Sequence, residues 1–490
     1  MPTPEIDARN LAYRSHEAFE RSLPEAFAAR LGPALDAAER AMVQEDVQAQ
    51  MRIAAEANAF HVGVSDLEQV PALVLGQEEK ESADAQRGRA RELLVTGGYA
   101  AQFLFSGAAT RLGIGALYSL DLHELADVIR GASPEIDPDL RGRVLGRLSE
   151  LPPALRSEID QAAVPDGGAR YALGLGPRQL LQYRVRLESL AREAGRDPER
   201  AVQAALLVIH CSEASEEEIL RDLKRHDFYG FNRSRVCFLT QPEGHGYAIQ
   251  GGEIVVDPLS PRLPAGHGYP LAQFFQRGAA FRVGMGGRRS AVKETLISEI
   301  FSLGARVMGS HRVNDLTRLT AEVVDVERLS LALALMADLS DPGIGRNWIV
   351  ELVDNPKGQK GGFWKRDRRS GRKALAETLN LKTPELEGCT AGLRNAPYNA
   401  FRNLYKLSAL ESFLPKYGFF TPFLRFRDHR LYPETVTGEA TEYEEMRAEA
   451  IRKPGELIHD FKEFGDLPEG LRFVRAQDAD AAFAALAAEL

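Results

Sequence analysis

The sequence predicts an α/β protein built on a doubly wound, mostly parallel mixed sheet, and three patterns support this prediction. An apolar strand at 101–106 runs into a loop of small residues, a typical strand end in open α/β sheets. The run 204–210 reads as a buried parallel strand, and a helix that begins near Ser215 leads to a second strand at 236–239. This strand–helix–strand spacing is typical of the crossover unit in a doubly wound sheet.

The composition is that of an ordinary globular protein. The chain has 490 residues, and its net charge of −9 argues against a protein whose whole surface binds nucleic acid. Three widely spaced cysteines provide neither a disulfide framework nor a zinc pattern. The N-terminus lacks a signal-peptide pattern and no apolar run approaches about 20 residues, so we expect a cytoplasmic protein that does not enter the membrane.

The first 95 residues form a helical N-terminal region. Leu23, Phe27, Leu31 and Leu35 recur at four-residue steps, which indicates an amphipathic helix. Nothing in residues 1–95 resembles a catalytic motif, and we interpret the region as a helical cap on the next domain.

The loop after the first strand has the composition of a phosphate-binding loop. Its residues Gly107 and Thr110 are small, so backbone N–H groups can approach an anion, and Arg111 supplies a fork of donors. The alternative is a strand–turn–helix without a ligand, because such turns recur throughout α/β proteins.

This loop is the first of several motifs that carry a resemblance to a known family. The segment 106–113, Ser-Gly-Ala-Ala-Thr-Arg-Leu-Gly, resembles the Gly-Gly-x-Gly-Thr-Arg-Leu-Gly of the UTP:sugar-1-phosphate uridylyltransferases, which include the UDP-N-acetylglucosamine and UDP-glucose pyrophosphorylases. The run 355–362 is similar to Asn-Pro-Lys-x-x-Lys-Gly-Gly of the eukaryotic UDP-glucose pyrophosphorylases, although a Gly-rich solvated turn is the alternative. The motifs keep the family order over about residues 100–415.

The resemblance implies a nucleotidyltransferase core at 96–415, followed by a C-terminal region at 416–490. The acidic, proline-broken segment 114–167 is then an insertion, because the family's next motif resumes near Tyr171. In the relatives that motif carries a lysine that contacts phosphate. Here Arg170 is the nearest cation, and Lys357 and Lys360 are the other candidate phosphate ligands.

The resemblance also implies a nucleoside site. Gln241 ends the second strand, where the family has a glutamine that reads the uracil edge with one donor and one acceptor. An exposed loop glutamine is the alternative. Gly266 and His267 correspond to a Gly-Asn motif that contacts uracil and sugar, and a neutral His267 can donate to a sugar hydroxyl. A hairpin with Gly251-Gly252 at its tip is predicted between Gln241 and Gly266.

Metal and sugar ligands follow from the later motifs. Relatives hold magnesium with the aspartate of a Val-Asp-Asn-x-Leu segment, and the resemblance assigns this role to Asp315. A plain Asx turn at Asn314-Asp315 is the alternative. Glu377 and Asn403 match family residues that line the sugar site.

The implied reaction joins UTP to a sugar 1-phosphate and gives a UDP-sugar and pyrophosphate, with Mg²⁺ and without a covalent intermediate. Two alternatives are a non-catalytic sugar-nucleotide-binding homologue and a metal-dependent glycosyltransferase. The sequence identifies neither the sugar nor the oligomeric state.

Overall fold

The computed structural model of the chain describes residues 15–58, 67–70, 72–74, 80–106, 116–132, 138–284, 286–318, 322–354, 362–367, 371, 373–376, 397–417, 423–435, 440–441, 444–452 and 458–490. The helices in this part of the chain are α1 (His16–Leu31), α2 (Leu35–Val43), α3 (Val47–Asn58), α4 (Lys80–Val95), α5 (Leu122–Arg130), α6 (Pro138–Ser149), α7 (Pro153–Ala163), α8 (Leu175–Glu193), α9 (Pro198–Ala204), α10 (Glu216–Arg225), α11 (Tyr269–Gln273), α12 (Leu296–Ser302), α13 (Val326–Met336), α14 (Leu407–Tyr417), α15 (Leu467–Asp478) and α16 (Ala481–Ala487).

A central sheet organises the fold. Among the described residues its strands are β1 (Leu73–Val74), β2 (Tyr99–Leu104), β3 (Leu206–Ser212), β4 (Val236–Gln241), β5 (Ala280–Val283), β6 (Arg289–Ala291), β7 (Val307–Arg312), β8 (Trp348–Val353), β9 (Tyr398–Lys406) and β10 (Ala448–Arg452). They are hydrogen-bonded in the order β6-β5-β4-β3-β2-β7-β9-β8-β10-β1.

The sheet is mixed and mostly parallel. Of these strands only β5 and β9 run against the common direction, as the pairings along the sheet show. The chain proceeds from β2 to β3 and β4 on one side and returns to β7 on the other side. The carboxyl ends of β2 and β7 therefore flank a topological switch point, where open α/β sheets bind their ligands.

Apolar side chains cover both faces of the sheet. Strand β3, Leu-Leu-Val-Ile-His-Cys-Ser, is buried along its whole length, as expected for a parallel strand between two helical layers. One face packs against α4, α8, α10 and α13, and the other face packs against α11, α12 and α14. The predicted doubly wound α/β class is confirmed by this arrangement.

The N-terminal helices pack away from the central sheet. Helices α1 to α3 cover a second, four-stranded sheet made of Phe423–Arg427, Arg430–Glu434, Tyr247–Gln250 and Glu253–Val256. The last two strands form the predicted hairpin, with Gly251 and Gly252 at positive φ of 61° and 81° in its turn. A smaller, three-stranded sheet consists of Leu67–Gln69, Phe363–Asp367 and Lys373–Ala376. In a two-stranded sheet, Glu243–Gly244 pairs with Leu263–Pro264.

The C-terminal region completes the core. Strand β10 joins the central sheet beside β8, and Ile458–Asp460 pairs antiparallel with Asp315–Thr317. Helices α15 and α16 contribute Leu471 and Phe483 to the main apolar core. Segments before and after the predicted core therefore fold together with it.

A buried ionic group joins this region to the segment 114–167, whose described helices are α5, α6 and α7. Asp478 of α15 accepts from Arg178 of α8 at 2.7 Å and contacts His123 of α5 at 2.6 Å. All three side chains are almost fully buried, so the three helices share one network of buried polar contacts.

Candidate functional site

A cluster of four charged side chains lies beside the switch point. Arg312 ends β7 and donates through Nη2 to Asp315 Oδ1 at 2.6 Å and to Asp460 Oδ2 at 3.1 Å. Lys462 forms an ion pair with Asp460. The carboxylates are 4% and 1% exposed, whereas Arg312 and Lys462 are 18% and 27% exposed. The two acids of the cluster are thus buried, whereas its two cations reach the surface.

Backbone pairing brings the two aspartates together. Asp315 and Asp460 are directly opposite each other in the two-stranded ladder. The Phe461 amide donates to the Asn314 carbonyl at 2.9 Å, and the Asn314 side chain donates to the Asp460 carboxylate. Since the positions of both carboxylates are set by main-chain contacts, they are pre-organised before any ligand arrives.

Burial sets the electrostatics of this cluster. It raises the pKa of Asp315 above its ordinary value, although the Arg312 guanidinium acts in the opposite direction. Burial has the same effect on Asp460, but Arg312 and Lys462 outweigh it and hold the pKa of that carboxyl below its ordinary value. Asp315 is therefore the less strongly stabilised of the two carboxylates.

The predicted nucleoside residues also come together. Gln241 is buried at the carboxyl end of β4, and its Nε2 donates to the Gly266 carbonyl at 2.7 Å. Gly266 has a φ of +95°, and a Cβ there would lie 2.6 Å from the Thr435 carbonyl oxygen and 2.7 Å from its nitrogen. Only glycine fits this position, because any side chain meets both backbone strain and backbone atoms.

We predict that Gly266→Ala lowers both the stability and the nucleotide affinity of the protein. Left-handed backbone costs alanine about 1–2 kcal/mol, and the contact with Thr435 adds to it. Gly278→Ala is a matched control, because Gly278 has a φ of +75° with nothing within 4 Å of its Cβ position. Urea unfolding and titration with UTP measure the two effects. Equal losses in both variants would contradict a role for the close approach at Gly266.

His267 follows Gly266 and lies within electrostatic range of the charged cluster. Burial of the ring lowers the pKa of His267 to about 4; Glu434 opposes this shift, whereas Arg312 and Lys462 reinforce it. The imidazole is therefore neutral near pH 7, as the predicted donation to a hydroxyl requires.

Asn403 lies inside the sheet, on β9. Its Oδ1 accepts from Trp348 Nε1 at 3.3 Å and from Asn399 Nδ2 at 3.4 Å. It lines a cavity of about 20 Å³ that shares wall residues with a cavity of about 10 Å³ beside Asp315, the shared residues being His311, Val323 and Arg402. Asn403 and Asp315 thus line neighbouring cavities.

Arg170 is held by the segment 114–167. Its guanidinium binds both carboxylate oxygens of Asp127, at 2.9 and 3.3 Å, and donates to the His123 carbonyl at 3.0 Å. Its role as a phosphate ligand stays a prediction, and that role would require it to leave Asp127 or to bind phosphate beside it.

The remaining predicted site residues lie outside the described part of the chain: Gly107, Thr110, Arg111, Lys357, Lys360 and Glu377. Their assignments stay predictions. The strand that leads to the predicted phosphate loop is nevertheless in place, because Leu104 of β2 is opposite Arg312 of β7. Arg312 belongs to the charged cluster, so the described end of β2 lies beside this cluster.

Sequence reasoning missed Arg312, Asp460 and Lys462. Asp460 and Lys462 lie beyond residue 415, where the family motifs end, and more than a hundred residues separate them from Asp315. The only available signal was an acid and a base two residues apart, a spacing that places side chains on one face of an extended segment. Such a spacing does not identify the strand that will pair with it.

The two aspartates offer carboxylate oxygens, the kind of ligand that magnesium prefers. Both offer an oxygen to one cationic group, Arg312 Nη2, which shows that the oxygens converge. Mg²⁺ is usually bound by one or two carboxylates and keeps water and substrate phosphate in its other positions. In the part of the chain that the structure describes, no group of three or more His, Cys, Asp or Glu side chains could hold a metal ion.

Solved structures of other proteins have a similar fold. No protein-family model and no curated protein matches the sequence. A solved UDP-N-acetylglucosamine pyrophosphorylase from Trypanosoma brucei is 14% identical with a TM-score of 0.56, over 96% of this chain and 84% of that chain. A UDP-glucose phosphorylase from the same organism is also 14% identical, with a TM-score of 0.53 over 83% and 70% of the two chains.

A third structure extends the comparison. The UDP-glucose pyrophosphorylase of Leishmania major, solved with UDP-glucose, is 16% identical with a TM-score of 0.51, over 88% of this chain and 78% of that chain. These likenesses confirm the predicted fold, the one found in UDP-sugar pyrophosphorylases. None of the described helices combines the length and the apolar character needed to cross a membrane.

Proposed function

We propose that this chain is a uridylyltransferase that forms a UDP-sugar and pyrophosphate from UTP and a sugar 1-phosphate. The observation that carries the proposal is the charged cluster of Arg312, Asp315, Asp460 and Lys462. It lies at the switch point of the sheet, next to the strand that leads into the predicted phosphate loop. A site with paired acids and surface-reaching cations suits the transfer of a phosphorylated group.

The cations act on the phosphates. Lys462 and Arg312 supply positive charge where the attacking sugar phosphate meets the α-phosphorus of UTP, and this charge stabilises the transition state. No covalent intermediate is needed, because the reaction depends on placing two phosphates in line and reducing their repulsion. Arg111, Lys357 and Lys360 are further candidates for this role.

Mg²⁺ is part of the proposal, with Asp315 and Asp460 as its ligands; when bound, it would neutralise charge on the triphosphate. The aspartates themselves keep their positions through the ladder between Asp315–Thr317 and Ile458–Asp460. Asn314 orients the Asp460 carboxylate through its side-chain amide. Such supporting contacts fix the geometry of a metal ligand.

The nucleoside is held at the other end of the site. The Gln241 amide and the backbone around Gly266 supply donors and acceptors for the uracil edge, and they already contact each other. A neutral His267 donates to the sugar, with Asn403 and Glu377 as the remaining sugar ligands.

A direct assay tests the proposal. Purified protein is incubated with UTP, Mg²⁺ and a panel of sugar 1-phosphates, and pyrophosphate release is measured. We expect release with at least one sugar phosphate and a loss of release when Mg²⁺ is chelated. Binding of UDP-sugars without pyrophosphate release would instead identify a non-catalytic sugar-nucleotide-binding protein.

A further inference from the structure

Arg312 takes the place of a cation between the two aspartates. Its Nη2 lies 2.6 Å from Asp315 Oδ1 and 3.1 Å from Asp460 Oδ2, and its Nε lies 3.4 Å from Asp315 Oδ2. One guanidinium therefore satisfies three oxygens of the two carboxylates assigned to the metal. A divalent cation that binds the same oxygens must displace this side chain.

The side chain and the main chain of Arg312 are held by different contacts. Within the described part of the chain, its hydrogen bonds go to Asp315 and Asp460 and to no other residue. The Arg312 main chain is held separately, because its carbonyl accepts from the Gln179 side chain. The side chain is also 18% exposed, so part of it already contacts solvent.

The charges of the cluster balance without a metal. Asp315 and Asp460 carry two negative charges, and Arg312 and Lys462 carry two positive charges. A divalent cation alone gains little from a neutral cluster and must separate Arg312 from its partners. A cation that arrives with a triphosphate also brings a new partner for the guanidinium, whose planar fork suits phosphate oxygens.

We propose that Arg312 occupies the metal position in the nucleotide-free protein. It gives up this position when a metal–nucleotide complex binds. The inference rests on the proposed function and adds a regulatory property to the site: metal ions are kept out until nucleotide is present. Metal and nucleotide then bind with positive coupling, since each lowers the free energy needed to move Arg312.

Direct metal binding tests this inference without an activity assay. Mn²⁺ serves as the probe, and its affinity is measured by electron paramagnetic resonance in the absence of nucleotide. We expect Arg312→Gln to bind Mn²⁺ at least about tenfold more tightly than the wild-type protein, the scale of one charged hydrogen bond. Arg312→Lys keeps the charge and should stay close to wild type. Arg312→Met is a second neutral variant should Arg312→Gln fail to fold.

Arg282→Gln is the matched control. Arg282 has a similar exposure of 25% and an ion pair of 2.7 Å with Glu299, so its loss should leave Mn²⁺ affinity unchanged. Equal Mn²⁺ affinity in wild type and Arg312→Gln, or no Mn²⁺ binding by either protein, would overturn the inference. A protein that shows the tenfold difference but releases no pyrophosphate keeps the exchange at Arg312 and loses the proposed function. If the protein releases pyrophosphate but Arg312→Gln does not change the Mn²⁺ affinity, the proposed function stands and the exchange at Arg312 is wrong.

Discussion

Lys462→Met is expected to lower kcat/KM for UDP-sugar formation by about 10²–10³-fold, the usual effect of removing one pre-organised charge contact. Lys462 is paired with the buried Asp460 and is itself 27% exposed, so it can reach a bound phosphate. Methionine keeps most of the stem and removes the charge. Steady-state kinetics with saturating Mg²⁺ measure the loss, and a thermal unfolding curve confirms that the variant is folded.

Lys373→Met is the control for this prediction. Lys373 is similarly exposed, at 31%, and its ammonium lies 3.0 Å from a buried carboxylate of Glu449. It differs from Lys462 in lying away from the charged cluster at the switch point. A Lys462→Met protein as active as Lys373→Met would remove Lys462 from the proposed site.

Asp478→Ala is expected to destabilise the protein by about 3–5 kcal/mol, because it leaves the buried Arg178 guanidinium without its carboxylate. His123 loses its contact at 2.6 Å in the same variant. These residues join α15 to α5 and α8, so the change weakens the connection between the C-terminal region and the core. The free energy of unfolding in urea measures the effect.

Asp127→Ala provides the comparison. Asp127 is likewise paired with an arginine, in this case through both of its oxygens. It is 27% exposed, however, and its partner Arg170 is 32% exposed. Water screens this pair, so its removal should cost about 1 kcal/mol or less. Similar losses for Asp127→Ala and Asp478→Ala would show that the buried network does not hold the helices together.

Local patterns in the sequence predicted much of the core. Strands β3 and β4 were recognisable because each is short, apolar and followed by a turn or a helix start, and these signals depend on neighbouring residues. The hairpin around Gly251 and Gly252 was recognisable for the same reason. Gln241 and Gly266 were placed in one site from the family motifs, and the structure brings them into direct contact.

The charged cluster could not be predicted in the same way. Asp315 was singled out by a motif, but its partners depend on the pairing of Asp315–Thr317 with a strand near the end of the chain. Strand pairing between distant segments is decided by the register of the whole sheet and the space left by other elements. The C-terminal region was expected to follow the core, whereas β10 lies within the central sheet. Contacts between distant segments therefore supplied two of the four residues of the charged cluster, Asp460 and Lys462.

The reverse reaction tests the central claim most directly. Protein is mixed with pyrophosphate, Mg²⁺ and one UDP-sugar at a time, and UTP formation is followed. A uridylyltransferase forms UTP and sugar 1-phosphate in equal amounts from at least one UDP-sugar, and Lys462→Met should form far less. A glycosyltransferase or a binding protein forms no UTP from pyrophosphate under the same conditions. Absence of UTP with every UDP-sugar, from a folded protein that binds them, would contradict the proposed function.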